Sequence, residues 1–231
     1  MRSSQSALRI LIVDDELPAR DLLRSNLASH DYDIIEAGDA SSAFEILRHP
    51  AIDAIVLDLG LPDMHGVEVI QRVRASSSVP IIILTTREDH AGKLAALEAG
   101  ADDYVIMPFG LPDLNRRIRA AIRHRLQKQG ERPIFKSGDL SVDLVRRIVK
   151  VRSTEVKFSN REYALLRLLV AHAGKVLTQK FLLREVWGDE KDAQYLQVHV
   201  RALRQKLEDN PERPQHIVTE QGIGYRLRSP D

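Results

Sequence analysis

The sequence contains no cysteine, and none of its apolar runs approaches the roughly 18 residues that a membrane-spanning helix needs. The lack of cysteine excludes disulfides, thiol catalysis and zinc sites built from thiolates, so any metal must be held by oxygen or imidazole ligands. Residues 1–9 also lack the apolar core of a signal peptide. We therefore expect a cytoplasmic protein.

Length and composition favour two globular domains. The chain has 231 residues, of which 43% are hydrophobic and 29% are charged, a balance typical of folded globular proteins. This length is large for one compact domain and sufficient for two domains that each bury a core.

The formal net charge of +1 hides a strong asymmetry along the chain. Residues 1–113 carry 9 Lys and Arg against 19 Asp and Glu, whereas residues 134–231 carry 18 against 13. An acidic half followed by a basic half predicts a cation or phosphoryl site first and a polyanionic partner second. Charges that only cover solvated surfaces remain the alternative at this point.

Strand and helix patterns alternate five times in the first half. Apolar runs of strand length occur at Leu8–Val13, Asp33–Ala37, Ile52–Leu57, Pro80–Leu84 and Asp103–Ile106. Segments with helical spacing separate these runs, and the last such segment extends from Pro112 to Leu126. Continuous apolar strands indicate a parallel sheet covered on both faces. The pattern predicts a doubly wound, five-stranded α/β domain over residues 8–126.

A polar segment with one Gly, one Pro and no apolar residue, residues 127–133, is interpreted as a linker. Strand-like stretches near Leu140, Ile148 and Val156 follow it. The helices predicted next are Arg161–Ala171, capped by Ser159 or Asn160, Gln179–Trp187, opened by Thr178, and Ala193–Leu207, capped by Asp192. A β-hairpin is predicted from Ile217–Glu220 and Tyr225–Leu227. Residues 134–229 thus form a second domain of the α+β class.

Acidic residues follow two of the predicted parallel strands. Strand one is followed by Asp14 and Asp15, and strand three by Asp58. Ligands of open parallel sheets bind beyond the carboxyl ends of the strands, and carboxylates that converge there repel one another unless a cation lies among them. Because Mg²⁺ prefers oxygen ligands, the sequence predicts a Mg²⁺ site at this edge.

Several stretches resemble two-component response regulators. Residues 12–16, 56–66 and 99–104 are similar to their receiver domains, and residues 198–208 and 219–226 to the winged helix of the OmpR/PhoB subfamily. The likeness covers nearly the whole chain and includes the branch that controls potassium-transport operons. It implies a flavodoxin- or CheY-like receiver, a winged helix-turn-helix domain and a sensor histidine kinase as partner.

The resemblance implies roles for individual residues. Asp58 would accept a phosphoryl group from the kinase. The Mg²⁺ ligands would be Asp15, Asp58 and the backbone carbonyl of Gly60, with Asp14 acting through water. Thr85 would be the switch hydroxyl that moves onto the phosphoryl oxygens, and Tyr104 the aromatic ring that rotates with it. Added phosphoryl charge rewards any hydrogen-bond donor that can turn toward it.

Two residues depart from the family pattern. Met107 stands where receivers carry a lysine that pairs with the phosphoryl group, and Thr86 stands where they carry alanine. The missing cation weakens phosphoryl stabilisation, and the bulkier neighbour narrows access to Asp58. Arg87 is a candidate to replace the cation from the rim of the site. A regulator that works without phosphorylation, and keeps its receiver only for dimerisation, therefore stays open as an alternative.

Charged residues of both signs are predicted on one side of the receiver. In the resembled subfamily this face forms a symmetric dimer through crossed salt bridges, each of which occurs twice. The predicted dimer-face residues are Lys93, Asp102, Asp103, Asp113, Arg117 and Arg119. A solvated charged face is the alternative.

The helix from Ala193 to Leu207 is amphipathic. Leu196, Val200, Leu203 and Leu207 follow the spacing of a buried stripe, and Gln and Arg occupy the other faces. In the major groove Arg reads guanine and Gln reads adenine. The predicted DNA contacts are Gln194, Gln197, His199, Arg201, Arg204 (or Gln205) and Lys206 on this helix, with Thr219, Gln221 and Arg226 on the wing. Trp187 is predicted to belong to the core.

These features predict a transcription factor in which phosphorylation of Asp58 favours a dimer that binds promoter DNA, with RNA polymerase as a further candidate partner. We do not expect an enzyme. The enzymatic alternative is a phosphohydrolase with an aspartate nucleophile. It would need an acid two residues beyond the nucleophile, where Gly60 lies, and it would not need the basic half.

Overall fold

A computed structural model describes residues 7–28, 32–48, 52–86, 90–108, 110–188 and 192–229. It divides the chain into two compact units between Gly130 and Glu131, which lie inside the segment interpreted as a linker. Arg87, the predicted substitute for the missing cation, lies outside the described residues, as does the side chain of Thr86. No helix in these ranges is both long and apolar enough to cross a membrane.

The described part of the first unit is a parallel five-stranded sheet in the order β2-β1-β3-β4-β5. The strands are β1 (Leu8–Val13), β2 (Tyr32–Ala37), β3 (Ala54–Asp58), β4 (Ile81–Thr86) and β5 (Asp103–Met107). The intervening helices are α1 (Leu17–Ala28), α2 (Ala40–Leu47), α3 (Gly66–Arg74), α4 (His90–Glu98) and α5 (Leu111–Lys128). The doubly wound α/β prediction is confirmed.

The central strands of this sheet are buried on both faces, as their continuous apolar sequences require. Consecutive residues Leu11 and Ile12 of β1 and Ile82 and Ile83 of β4 have no exposed surface. Adjacent residues of a strand point to opposite faces, so both faces must be covered by helices. The order of the strands reverses between β1 and β3, which places a ligand crevice at their carboxyl ends.

Helix α5 is longer than the sequence pattern predicted. It begins with Pro112 in its first turn and continues through Gln127 and Lys128, so the first residues of the predicted linker are helical. Gln and Lys have high helix propensity even where they bury nothing. The helix ends at Lys128, and Gly130 follows two residues later with a φ of 73°, in the left-handed region that commonly follows a helix C-terminus.

The second unit combines two antiparallel sheets and three helices among its described residues. The first sheet contains β6 (Ile134–Ser137), β7 (Leu140–Asp143), β8 (Ile148–Val151) and β9 (Thr154–Val156). The helices are α6 (Asn160–Ala171), α7 (Gln179–Trp187) and α8 (Ala193–Leu207). The second sheet has the order β10-β12-β11, from β10 (Leu177–Thr178), β11 (Ile217–Glu220) and β12 (Gly224–Leu227). The sequence did not predict β6 or β10.

Side-chain caps fix where the three helices begin. Ser159 accepts a hydrogen bond from the Glu162 N–H while the Glu162 carboxylate accepts one from the Ser159 N–H, which is a capping box. Thr178 accepts from the N–H of Phe181, and Asp192 accepts from the N–H of Tyr195. The predicted caps are confirmed, and of Ser159 and Asn160 it is Ser159 that caps α6.

Candidate functional site

Three carboxylates meet where the strand order of the first unit reverses. Asp14 and Asp15 follow β1, and Asp58 ends the neighbouring strand β3. One oxygen from each of the three lies within 4.8 Å of the others. The structure thus brings together the acidic residues that the sequence predicted at this edge.

The electrostatics of this cluster suit a divalent cation. Asp14 is buried, and burial raises the pKa of its carboxyl group. The hydrogen bond from the Glu16 N–H, 2.8 Å long, lowers this pKa, but the negative charges of Asp58 and Asp15 raise it again. A cation among the three groups would offset the cost of burying the Asp14 charge and would reduce the repulsion between the carboxylates. All the ligands are oxygen atoms, as Mg²⁺ prefers.

Gly60 fixes the orientation of the Asp58 carboxylate. Its N–H donates to Asp58 Oδ2 over 3.1 Å, and a Cβ added to Gly60 would lie 3.1 Å from the same oxygen. Such a contact is close enough to displace the carboxylate. The role of the Gly60 carbonyl as a metal ligand stays a prediction.

The two predicted switch residues lie on neighbouring strands. Thr85 is buried in β4, and Tyr104 of β5 is half-buried against the core. The Tyr104 ring lies near two cations, with Lys93 Nζ 5.3 Å and Arg117 Cζ 5.9 Å from its centroid. Lys93 is only 8% exposed. Its ammonium group therefore contacts the predicted switch aromatic within the protomer, and its place on a dimer face stays a prediction.

Met107 occupies the position that the sequence indicated. It is the last residue of β5, pairs with Thr86 of β4 and is half-buried. Its thioether carries no charge, so this strand end offers no cation to a phosphoryl group on Asp58.

The other predicted dimer-face charges are paired within the protomer. Arg117 Nη1 donates to both oxygens of Asp103 over 2.8 Å, and its Nε donates to Asp113 over 2.8 Å. These contacts raise the pKa of Arg117. Asp102 pairs with Arg74 at 2.7 Å. Arg119 instead donates to the Tyr32 hydroxyl at 3.3 Å, on the side of β2, so the structure does not bring it to the β5 face.

Helix α8 has the amphipathic character that the sequence predicted. Leu196, Val200, Leu203 and Leu207 are buried. The opposite face exposes Gln194, Gln197, Val198, Arg201 and Gln205. This face is suited to contact the edges of base pairs. Val198 belongs to one of the stretches that resemble the winged helix, and it was not predicted as a DNA contact.

Two of the cations on α8 that are predicted to contact DNA bind other elements of the second unit. Arg204 donates to the carbonyl of Ile217 from Nε and Nη2, over 3.0 and 2.8 Å, and Nη2 also donates to the Thr219 hydroxyl over 2.7 Å. Lys206 Nζ lies 2.6 Å from Glu162 Oε2 in the cap of α6. These cations hold α8 to the wing and to α6, and the roles in DNA binding predicted for Arg204, Lys206 and Thr219 stay predictions.

His199 is held in an aromatic cluster. Its ring centroid lies 4.9 Å from that of Trp187 and 4.8 Å from that of Tyr195. Its Nδ1 is 2.9 Å from the carbonyl of Tyr195. The His199 ring thus contacts α7 and its own helix. It is half-buried, unlike the exposed polar side chains of Gln194 and Arg201.

The wing is the hairpin of β11 and β12. Gln221 is exposed at its turn, next to Gly222, whose φ of 72° favours glycine. Arg226 forms an ion pair of 2.6 Å with Glu220 across the hairpin. Of the three predicted wing contacts, only Gln221 has neither a hydrogen bond nor an ion pair among the contacts seen in the described residues.

A receiver-type aspartate site and a winged helix in one chain define the class of DNA-binding response regulators. The response regulator receiver domain family matches residues 10–119, and the C-terminal domain family of transcriptional regulatory proteins matches residues 153–227. The acidic cluster is of the kind that receiver domains use to bind Mg²⁺.

Similar proteins support this classification. The KDP operon transcriptional regulatory protein KdpE of Escherichia coli (strain K12) is 42% identical over 220 residues, covering 94% of this chain and 98% of that protein. The transcriptional regulatory protein KdpE of Mycobacterium tuberculosis (strain ATCC 25618 / H37Rv) is 38% identical and covers 95% and 99%. The solved structure of a CheY-like receiver domain protein from Methanospirillum hungatei JF-1 covers 53% of this chain and 99% of its own, with 26% identity and a TM-score of 0.50.

The chain belongs to the OmpR/PhoB family of response regulators and is a transcriptional regulator with a receiver and a DNA-binding domain. The two domains imply a histidine kinase and promoter DNA as partners. The phosphohydrolase alternative gains no support, since both matched families are regulatory.

Proposed function

We propose that phosphorylation of Asp58 by a sensor histidine kinase drives this chain to form a dimer that binds promoter DNA. The observation that carries the proposal is the cluster of Asp14, Asp15 and Asp58, whose oxygens lie within 4.8 Å at the reversal of the strand order. The same chain carries α8, with its exposed face of Gln and Arg.

In the proposed reaction an oxygen of Asp58 bonds to phosphorus while the bond from phosphorus to the kinase histidine nitrogen breaks. The Gly60 N–H holds the Asp58 carboxylate in place for this attack. Asp14, Asp15 and Asp58 would hold Mg²⁺, with the Gly60 carbonyl as a further ligand. When bound, Mg²⁺ neutralises charge on the carboxylates and on the phosphoryl oxygens.

The phosphoryl group would then act on Thr85 and Tyr104. Its oxygens attract the buried Thr85 hydroxyl, and Tyr104 moves into the space that the hydroxyl leaves. Because Tyr104 lies near Lys93 and Arg117, its movement changes the environment of both cations. Arg117 is also the residue that forms ion pairs with Asp103 and Asp113. Phosphorylation thereby biases a two-state receiver toward the dimer.

The dimer would raise DNA affinity by joining two α8 helices over two half-sites, without any new base contact. The name of the Escherichia coli relative points to a KDP operon as the target of that protein. We propose potassium-transport genes of this kind as targets, RNA polymerase as a further partner and the cytoplasm as the place of action.

The direct test is chemical labelling of the purified chain with acetyl phosphate and Mg²⁺, read by mass spectrometry. We expect one phosphoryl group on Asp58, none on Asp58→Ala, and normal labelling of Asp21→Ala, which removes an exposed aspartate of α1. Undiminished labelling of Asp58→Ala would overturn the assignment. Absence of labelling on every variant, with DNA binding intact, would favour the regulator that works without phosphorylation.

A further inference from the structure

Asp63 lies in the loop of residues 59–65, which joins β3 to α3. Its side chain is exposed and reaches the start of α2, 23 residues away in the sequence. Oδ1 accepts a hydrogen bond from the Ala40 N–H over 2.9 Å. Oδ2 accepts two from Ser41, over 3.0 Å from the N–H and 2.9 Å from the hydroxyl. The loop that follows Asp58 is thus tied to a neighbouring helix.

These hydrogen bonds complete the N-terminus of α2. The first N–H groups of a helix have no partner within it, and the helix's own cap, Asp39, accepts from the Ser42 N–H over 2.7 Å. Asp63 supplies acceptors for the two N–H groups that precede Ser42. The hydrogen bond from the Ala40 N–H, the largest of these influences, lowers the pKa of Asp63. The side chain therefore stays charged at the positive end of the helix dipole.

The same loop carries Gly60, whose N–H donates to Asp58 Oδ2. Leu59 and Leu61, on either side of Gly60, are buried in the core. Apolar burial holds the loop against the sheet, but it is not directional and does not fix the orientation of a peptide group. Within the described ranges, the hydrogen bonds that link this loop to an element other than β3 and α3 are those that Asp63 accepts. These directional contacts restrict where the Gly60 peptide lies.

We propose that Asp63 is a positioning residue for the phosphorylation of Asp58. By tying the loop to α2, it holds the Gly60 peptide where the N–H orients Asp58 and where the carbonyl is predicted to bind Mg²⁺. This inference rests on the proposed function of Asp58. Asp39 distinguishes it from a role of Asp63 in helix stability alone, because Asp39 caps the same helix from the adjoining residue.

The first measurement is hydrogen exchange of the full chain in EDTA, read by mass spectrometry. The peptides of interest cover α2 and the hydrogen-bonded N–H groups of Gly60 and Gly66. Asp63→Ala and Asp39→Ala should both speed exchange in α2, since each removes a cap. Asp63→Ala alone should also speed exchange in the loop, by about fivefold, the change in an opening equilibrium that the loss of one cap produces. Equal loop exchange in Asp63→Ala and wild type would refute the positioning role.

The second measurement is the rate at which acetyl phosphate labels Asp58 as the Mg²⁺ concentration is raised. Asp63→Ala should need about fivefold more Mg²⁺ than wild type for half of the maximal rate. Excess Mg²⁺ should restore the wild-type rate, because metal binding and loop order are coupled. Asp39→Ala should need the wild-type concentration. Asp63→Asn, which keeps one acceptor for the Ala40 N–H, should fall between wild type and Asp63→Ala.

Thermal unfolding of the two alanine variants measures the loss of α2 stability that they share. The positioning role is overturned if Asp63→Ala has the same half-saturating Mg²⁺ concentration as wild type, or if Asp39→Ala raises this concentration as much. In either case the phosphorylation of Asp58 stands. If wild type is labelled at no Mg²⁺ concentration, the proposed function fails and this inference fails with it.

Discussion

Met107 is the residue at which the sequence predicts the loss of a cation that receivers carry. At the end of β5 it offers a thioether where an ammonium would pair with the phosphoryl group. A charge-assisted hydrogen bond contributes about 1.5 to 3 kcal/mol. We expect its absence to lower the ratio of active to inactive receiver by about tenfold or more.

Met107→Lys should therefore strengthen the response to phosphorylation by about tenfold. The measurement is dimerisation by sedimentation, with and without Mg²⁺ and beryllofluoride. Met107→Leu is the matched control, because it keeps an apolar side chain of similar volume and should respond as wild type does. Equal responses of the Lys and Leu variants would show that another group compensates for the missing charge.

Asp14 should destabilise the receiver when no metal is present. Its folded-state pKa is raised, mainly by burial. A raised pKa means stability that is present below the usual value of 3.8 and is lost as the pH rises through the folded value. At neutral pH the charged carboxylate thus opposes folding, and Asp14→Asn should unfold at a higher temperature than wild type in EDTA. Mg²⁺ should stabilise wild type more than the variant, and the opposite order would contradict a metal role for Asp14.

Substitution of Lys206 should lower stability, whereas substitution of Arg201 should lower DNA affinity. Burial would raise the pKa of Glu162, but hydrogen bonds from Lys206 and from the Ser159 N–H outweigh it and hold that pKa below its usual range. Lys206→Met should destabilise the second unit by about 1 to 3 kcal/mol at neutral pH. The loss should shrink in acid, because the contribution of Glu162 disappears as the pH falls through its folded pKa.

Arg201→Ala is the matched exposed substitution and should leave the melting temperature unchanged. It should weaken binding to a DNA duplex that the wild-type chain has selected from a random-sequence library, by about 1 to 3 kcal/mol. Thermal unfolding and equilibrium DNA binding of both variants measure the two effects. If Lys206→Met were as stable as wild type and only bound DNA more weakly, the result would support the sequence-based prediction that Lys206 contacts DNA.

The intramolecular partners of three predicted site residues could not be predicted from the sequence. Lys93, Arg204 and Lys206 are cations on helices, and helical spacing gives the face on which a residue lies but not the partner that it contacts. The partners Tyr104 and Thr219 lie on other strands, and Glu162 is 44 residues from Lys206. The acidic cluster was predictable because parallel topology alone brings strand ends together.

Elements with strong local signals were predicted to within a few residues. Helix α8 has a side-chain cap and an apolar stripe, and its predicted and observed limits agree. Strand β10 has two residues and depends on pairing with Tyr225 and Gly224, which lie far away in the sequence. Its local sequence therefore carries no signal that pattern analysis can detect.

Gly224 of β12 lies against the backbone of β10. A Cβ at this position would lie 1.9 Å from the carbonyl oxygen of Leu177, a backbone atom that cannot move without breaking the pair. Gly224→Ala should separate the strands and lower the melting temperature, with a cost of about 1 to 3 kcal/mol from overpacking. Gly222→Ala, at the exposed turn, meets nothing within 4 Å and tests backbone strain alone. A Gly224→Ala variant as stable as wild type would contradict this packing.

At the scale of the whole molecule, the charge asymmetry follows the division between the two functional sites. The acidic half contains the carboxylate cluster, and the basic half carries the α8 face. An excess of cations in the second half favours phosphate contacts and makes DNA binding sensitive to salt. Composition alone predicted this division, whereas the pairing of individual charges required the structure.

The central claim is that phosphorylation of Asp58 controls DNA binding, and it is tested most directly by one comparison. The DNA is a duplex that the full wild-type chain has selected from a random-sequence library. Its affinity for wild type and for Asp58→Ala is measured in Mg²⁺, with and without beryllofluoride. Wild type should bind more tightly when beryllofluoride is present, whereas Asp58→Ala should bind with the same affinity in both conditions. Identical affinities of wild type in the two conditions, matched by Asp58→Ala, would contradict the account and identify a regulator that binds DNA independently of phosphorylation.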